Sequence, residues 1–141
     1  MHILMCNDDG ILADGLRHLA SYLSQYYRIT VVAPANEQSA KSHALTTEIP
    51  LKLDAYNGED ENPRLYALTG TPSDCMKFGL SYLLTDDMPD LVISGINHGF
   101  NLGSDVLYSG TVSAAMESCF YGIPGLALSV ERYSAERGEE M

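Results

Sequence analysis

Two adjacent carboxylates lie near the start of the chain, where Asp8 and Asp9 stand between Asn7 and Gly10, directly after the apolar run 3–6. Carboxylate oxygens are ligands that hard divalent cations prefer in proteins. If the run 3–6 is a strand of an open α/β sheet, its carboxyl end is also where such sheets bind ligands. Asn, Asp and Gly are common in turns for local reasons, so this motif alone fits either a metal site or an Asx-rich turn.

Glycine and asparagine alternate with other residues at Gly95, Asn97, Gly99, Asn101 and Gly103, after the apolar run 91–94. Both types are poor strand residues, so the pattern predicts a loop whose backbone approaches a ligand closely. The asparagine side chains can offer a carbonyl oxygen to a cation or amide donors to a phosphate. A plain turn-rich connection is the alternative, but a loop as long as 95–110 favours a function.

A third candidate, Tyr108-Ser109-Gly110-Thr111, leads directly into a predicted helix. Hydroxyl groups and free N–H groups at a helix N-terminus can bind a phosphate. Ser109 or Thr111 could equally serve only as a helix cap. Ser39, in the loop after the second predicted strand, carries little signal by itself, and His98 is expected to be an exposed loop residue.

The elements that must position these residues alternate between strands and helices. The predicted strands are 3–6, 29–33, 51–53, 65–68, 91–94 and 126–130. One helix is predicted over 15–27 with Asp14 as its N-cap, and a second begins at Thr71 with a capping box completed by Asp74. A third carries an apolar stripe, expected to be buried, of Val112, Ala115, Met116 and Cys119, and Gly122 ends it. This alternation predicts an α/β fold, a mostly parallel sheet with helices on both faces.

Composition narrows the function classes. The 141 residues are 45% apolar, which suits one globular domain, and their net charge of −11 argues against a nucleic-acid polymer as partner. An anion site in so acidic a chain needs a metal, a helix N-terminus or backbone N–H groups. No run approaches the ~20 apolar residues of a membrane span, and no secretory signal is seen, so we expect a cytoplasmic protein with no membrane partner. The three cysteines are expected to be reduced and mostly buried, and the four histidines show no zinc-type spacing.

Several familiar sites are excluded by missing residues. The sequence has no G-x-x-x-x-G-K-[ST] phosphate loop, no G-x-G-x-x-G dinucleotide fingerprint and no G-x-S-x-G nucleophile elbow. A signalling receiver module also carries an acidic pair after its first strand. That module needs an Asp ending a central strand and a Lys ending a later one, and neither Ser94 nor residues 130–131 supply them.

Taken together, the motifs resemble those of the SurE survival-protein family, metal-dependent 5′/3′-nucleotidases with a Rossmann-like three-layer fold. The resemblance runs from residue 1 to about 130. The segments that carry it are 7–10, Ser39, 70–75, 94–97 and 108–112. It implies hydrolysis of nucleoside 5′- and 3′-monophosphates with one divalent ion, Mg²⁺ or Mn²⁺, and a homodimer or tetramer.

The resemblance also implies roles for particular residues. The metal ligands would be Asp8, Asp9, Ser39 and Asn97. Asn101 and Ser109 would lie beside the phosphate and its attacking water, with Gly110 and Thr111 lining the same pocket. Asp8 could in addition orient or deprotonate that water.

Two departures from the family pattern limit these expectations. The loop before Ser39 reads Pro34-Ala35-Asn36-Glu37-Gln38, where the family usually has an aspartate after the proline. Family members are also considerably longer, so we expect residues 1–141 to form a single nucleotidase domain that is short at its C-terminus. The alternative function is therefore a catalytically weak or silent domain that still binds metal or nucleotide.

Overall fold

The computed structural model describes residues 1–38 and 44–131, in which six strands form one sheet of order β3-β4-β2-β1-β5-β6. All neighbouring strands are parallel except β3, which runs antiparallel to β4 at the sheet edge. The strands are β1 (His2–Cys6), β2 (Arg28–Pro34), β3 (Leu53–Ala55), β4 (Arg64–Leu68), β5 (Leu91–His98) and β6 (Gly125–Val130). The expectation of a mostly parallel α/β sheet is confirmed.

Helices cover both faces of the sheet, which gives three layers. They are α1 (Asp14–Leu23), α2 (Pro72–Phe78), continued by a π-helical turn (Gly79–Leu83), and α3 (Gly110–Cys119), preceded by a 3₁₀ helix (Gly103–Tyr108). One core lies between the sheet and α1, where Leu16 and Ala20 are buried. The other lies under α2 and α3 and includes Met76 and Ala114. Within the ranges described, every helix is too short or too polar to cross a membrane.

The strand order reverses direction between β1 and β5. From β1 the chain moves outward to β2 and β4, and it then returns to place β5 on the other side of β1. The loops that follow β1 and β5 therefore leave the sheet in opposite directions and open a crevice at their carboxyl ends. The acidic pair follows β1, and the Gly/Asn-rich segment begins within β5 and continues past its end.

Some predicted element boundaries are wrong. Helix α1 ends at Leu23, not at 27, and its N-cap is Ala13, so Asp14 is the first helical residue instead of the cap. The strand predicted over 51–53 begins at Leu53. Met116 and Cys119 are exposed, so they do not belong to a buried stripe on α3. Cys6 and Cys75 are buried as expected.

The predicted capping box at the start of α2 is confirmed. Thr71 Oγ1 accepts a hydrogen bond from the backbone N–H of Asp74, and the Asp74 carboxylate accepts one from the N–H of Thr71. The same carboxylate also accepts the backbone N–H and the hydroxyl of Thr46, at 2.9 and 2.7 Å. Burial acts to raise the pKa of Asp74, but these hydrogen bonds from Thr46 and Thr71 outweigh it and lower the pKa below its ordinary value. Asp74 thus fastens the loop after residue 43 to α2.

At the amino ends of the strands, His2 is buried at the start of β1. Its ring nitrogens lie 3.1 Å from the Asp87 carbonyl oxygen and 2.9 Å from Thr30 Oγ1. Burial, and secondarily the positive charge of Arg28, lowers the pKa of His2. Burial at this position therefore favours the neutral imidazole over the protonated one.

Candidate active site

The acidic pair lies in a turn that is closed by hydrogen bonds between the buried side chain of Asn7, at its start, and the backbone of Gly10, at its end. Asn7 Oδ1 accepts the N–H of Gly10 at 3.1 Å, and Asn7 Nδ2 donates to the carbonyl oxygen of Gly10 at 3.0 Å. Gly10 has φ of +102°, a conformation that side chains rarely adopt. Residues 7–10 therefore form a turn, which is compatible with a metal site, and this turn holds Asp8 and Asp9 at the carboxyl end of β1. Asn7 was not expected to act here, although an Asn three residues before a Gly is a turn signal.

Asp8 lies against the N-terminus of α3. The residue is 7% exposed, and its Oδ1 accepts a hydrogen bond from Thr111 Oγ1 at 3.1 Å. A Cβ added to Gly110 would lie only 2.9 Å from Asp8 Cβ, so a glycine at this position permits the close approach. Burial raises the pKa of Asp8, and the Thr111 hydrogen bond only partly opposes that effect. An ionised Asp8 is therefore favoured when positive charge lies beside it.

Ser109 caps α3 and remains available to a ligand. Its Oγ accepts the backbone N–H of Val112 at 3.2 Å, which uses an oxygen lone pair and leaves the hydroxyl proton free to be donated. Ser113 Oγ donates to the carbonyl oxygen of Ser109 at 2.6 Å and fixes its backbone. The Thr111 hydroxyl is donated to Asp8, so at Thr111 the backbone N–H is the group left for an anion. Capping and anion binding are compatible at this helix end.

The Gly/Asn-rich segment begins inside a strand, which contradicts the prediction of a loop from Gly95 onward. Strand β5 continues to His98, and Asn97 pairs with Ser129 of β6 after an irregularity in register. The positive φ of Gly95 provides that irregularity, which local propensity did not anticipate. The Asn97 side chain donates from Nδ2 to the carbonyl oxygen of Gly99 at 2.9 Å, so its Oδ1 is the atom that it could offer to a cation.

The candidate residues therefore differ in where the structure places them. Asp8, Ser109, Gly110 and Thr111 are brought together, Asp9 lies in the turn after β1, and Asn97 lies near the end of β5, the strand beside β1. Asn101 donates to Ser129 Oγ at 2.6 Å, which directs its amide toward the end of β6. Ser39 lies outside the described residues.

The donor set fits a hard divalent cation. In the described part of the chain no three His, Cys, Asp or Glu side chains form a metal cluster, so a cation here would depend on neutral oxygens in addition to the two carboxylates. Carboxylate, amide and hydroxyl oxygens are ligands typical of Mg²⁺ and Mn²⁺. A cation would also offset the unfavourable burial of an ionised Asp8.

Another cleft, of about 560 Å³, lies at the amino ends of the strands, near Tyr26, Tyr27 and Arg28. Several of its polar side chains are hydrogen-bonded to other groups of the protein. Asn62, for example, donates to the carbonyl oxygens of Ser24 and Tyr27. The amino ends of parallel strands are also not where α/β sheets bind ligands, so the crevice at Asp8 is the better candidate.

Comparison with known proteins gives a consistent result. A model of the family described as survival protein SurE matches residues 3–141. The 5′-nucleotidase SurE of Thermoanaerobacter pseudethanolicus is 54% identical over 129 residues, which are 92% of this chain and 50% of that protein. The protein of the same name from Vibrio vulnificus is 50% identical over 130 residues, with 92% and 49% covered. The chain thus spans about half the length of the curated relatives it matches.

The fold has a solved counterpart. The crystal structure of the SurE protein from Aquifex aeolicus superposes with a TM-score of 0.84 at 41% sequence identity. The match covers 96% of this chain and 53% of that one.

Proposed function

Because this chain belongs to the SurE family, we propose that it is a phosphomonoesterase that hydrolyses nucleoside 5′- and 3′-monophosphates to nucleoside and phosphate with a divalent cation, Mg²⁺ or Mn²⁺. The curated relatives named 5′-nucleotidase support the nucleotide substrate. The observation that carries the proposal is the contact between Asp8 and the first turn of α3, through the Thr111 hydrogen bond and the close approach of Gly110. It joins an acidic motif to a group of anion-binding donors.

In this proposal Asp8, Asp9, Ser39 and Asn97 hold the cation. When bound, the ion offsets negative charge on the phosphoryl group and lowers the pKa of a coordinated water. Asn7 keeps the two carboxylates at the strand end through its paired hydrogen bonds to Gly10.

The other side of the site binds the phosphoryl oxygens. The Ser109 hydroxyl and the free N–H groups at the start of α3 are directed donors that stabilise the charge on these oxygens in the transition state. Asn101 adds an amide donor if it exchanges its hydrogen bond to Ser129 for one to the substrate. Neutral donors of this kind suit a chain whose net charge is −11.

Asp8 has a second role in this proposal, since it accepts the proton of the attacking water or orients that water. The Thr111 hydroxyl donates to Oδ1, which fixes the carboxylate; Oδ2, which lies beside Gly110, is the oxygen proposed to accept the proton. A carboxylate within hydrogen-bond reach of the attacking water can act in this way as a general base.

The test is phosphate release from a panel of nucleoside monophosphates with Mg²⁺, Mn²⁺ or a chelator, for the parent chain, Asp8→Asn and Asp86→Asn. Asp86 is an exposed carboxylate near the amino end of β5 and serves as the matched control. We expect Asp8→Asn to lower kcat by about 10²–10⁴-fold, the range for groups that move a proton in the transition state. Asp86→Asn should match the parent, and the chelator should stop the reaction.

Hydrolysis at the parental rate by Asp8→Asn, or unchanged hydrolysis in chelator, would overturn the proposal. So would nucleotide binding by the parent, seen by calorimetry, without any phosphate release.

A further inference from the structure

A second cleft opens beside the acidic turn, at the carboxyl ends of β2 and β4. Its volume is about 240 Å³, and the buried side chain of Leu68 lies at its base. The residues around it are Asn36, Gln38, Thr46, Ile49, Thr69 and Gly70. The backbone N–H of Gln38 donates to the carbonyl oxygen of Asp8 at 2.7 Å, so one wall of the cleft is fastened directly to the acidic turn.

Among the described residues that line this cleft, none has an ionisable side chain, although the chain as a whole has a net charge of −11. The amides of Asn36 and Gln38 each present two N–H donors and one carbonyl acceptor. The Thr69 hydroxyl accepts the N–H of Lys52 at 2.7 Å and keeps its own proton to donate. Amide groups can pair with both the donors and the acceptors on the edge of a neutral nucleobase, whereas the oxygens of a phosphate dianion are acceptors only.

An apolar surface lies beside these polar groups. The Ile49 side chain is 66% exposed at the mouth of the cleft, and Leu68 provides an apolar base. A flat ring can pack its face on such side chains while its edge meets the amides. The volume is below the roughly 300–1,000 Å³ of sites that enclose a whole drug-sized ligand, which suits one part of a substrate anchored elsewhere.

We propose that this cleft binds the nucleoside part of the substrate, with the base packed on Ile49 and its polar edge facing Asn36 and Gln38. The phosphate then lies outside this cleft, at Asp8 and the N-terminus of α3, next to the cleft wall that contains Gln38. This inference rests on the proposed nucleotidase function and adds the residues that make a nucleotide a better substrate than a simple phosphate ester.

The first experiment compares kcat/KM for adenosine 5′-monophosphate with kcat/KM for glycerol phosphate, which has no base, in Asn36→Ala and Ile49→Ala. The ratio of the two values should fall by about three- to tenfold in each variant, as expected for one lost hydrogen bond or packing contact, with the change mainly in KM for the nucleotide. Gln25→Ala is the matched control, because Gln25 is an exposed amide near the amino ends of the strands. This variant should keep the parental ratio. An unchanged ratio in both cleft variants would overturn the inference.

The second experiment does not depend on turnover. Adenosine is titrated into the ¹⁵N-labelled chain, and the shifts of the amide resonances are followed by NMR. We expect the largest shifts at Asn36, Thr69 and Gly70, and weaker binding in Asn36→Ala. Shifts confined to the cleft near Tyr26 and Tyr27, or saturation that is the same in the parent and the variant, would overturn the inference. Absence of hydrolysis together with shifts at this cleft would overturn the nucleotidase function alone.

Discussion

Replacing Gly110 with alanine tests whether the first residue of α3 must lie directly against Asp8. An alanine Cβ would lie 2.9 Å from Asp8 Cβ and 3.2 Å from Pro72 Cγ. The first distance is shorter than Cβ atoms tolerate, and Asp8 Cβ is fixed to the end of β1, so the helix or the strand end must move. Forced overpacking of this kind costs about 1–3 kcal/mol of stability.

Helix propensity acts in the opposite direction at Gly110. Alanine is about 1 kcal/mol more favourable than glycine inside a helix, and the gain is smaller in the first turn. Because the steric effect exceeds this gain, we expect Gly110→Ala to lower the free energy of unfolding by about 1–2 kcal/mol. At about 4 °C per kcal/mol for a chain of this size, Tm should fall by about 4–8 °C.

The same displacement should reduce activity. An error of about 1 Å in the position of a catalytic group can cost about 10²-fold in rate, so we expect kcat for a nucleoside monophosphate to fall by about 10- to 100-fold in Gly110→Ala. Stability is measured by urea unfolding followed by circular dichroism, and activity by phosphate release at a fixed Mg²⁺ concentration.

Gly58→Ala is the matched control, because a Cβ at Gly58 would meet only Glu61 Cγ at 3.8 Å. It should leave both stability and kcat close to the parental values. If Gly110→Ala is as stable as the parent or more stable, and retains its kcat, helix propensity has prevailed and the close contact between α3 and Asp8 is refuted.

Three further predictions concern the residues around the site and at the amino ends of the strands. Asn7→Ala removes both hydrogen bonds to Gly10 from a fully buried position and should destabilise the chain by about 2–3 kcal/mol in urea unfolding; a loss below 0.5 kcal/mol would contradict the fastening role. The pKa of Asp74 is lowered in the native state, so its charged form stabilises the fold at neutral pH, and this effect is lost as the pH falls through the native pKa. Asp74→Asn should therefore lower the urea midpoint at pH 7, and the variant should differ less from the parent below about pH 4. A matching loss at both pH values would show that hydrogen bonds from Thr46 do not favour the charged form. The lowered pKa of His2 means that the unfolded chain binds the proton more tightly, so stability should decrease as the pH falls below about 6.5; His2→Gln should remove that part of the pH dependence, and an unchanged profile would contradict it.

Local signals predicted the elements that depend on neighbouring residues. The capping box at Thr71 and Asp74 needs only residues three positions apart, and the structure contains it. The same reasoning was wrong at Asp14, where the cap is Ala13, and at Gly95, where a glycine of positive φ lies within β5. At Gly95 the pairing of β5 with β6 outweighs the low strand propensity of Gly and Asn, and no local pattern reports that pairing.

The sequence by itself determined the chemical groups of the candidate site and the order of strands and helices, because residue type, periodicity and caps are local properties. Only the tertiary structure decided which of these groups meet. Thr111 donates to Asp8 across 103 positions of sequence, and Gln38 joins the acidic turn to the second cleft. Such contacts follow from the strand order, which places β5 beside β1 and brings α3 onto the turn after β1. That order is fixed by the burial of both faces of the whole sheet, so short segments of sequence do not contain it.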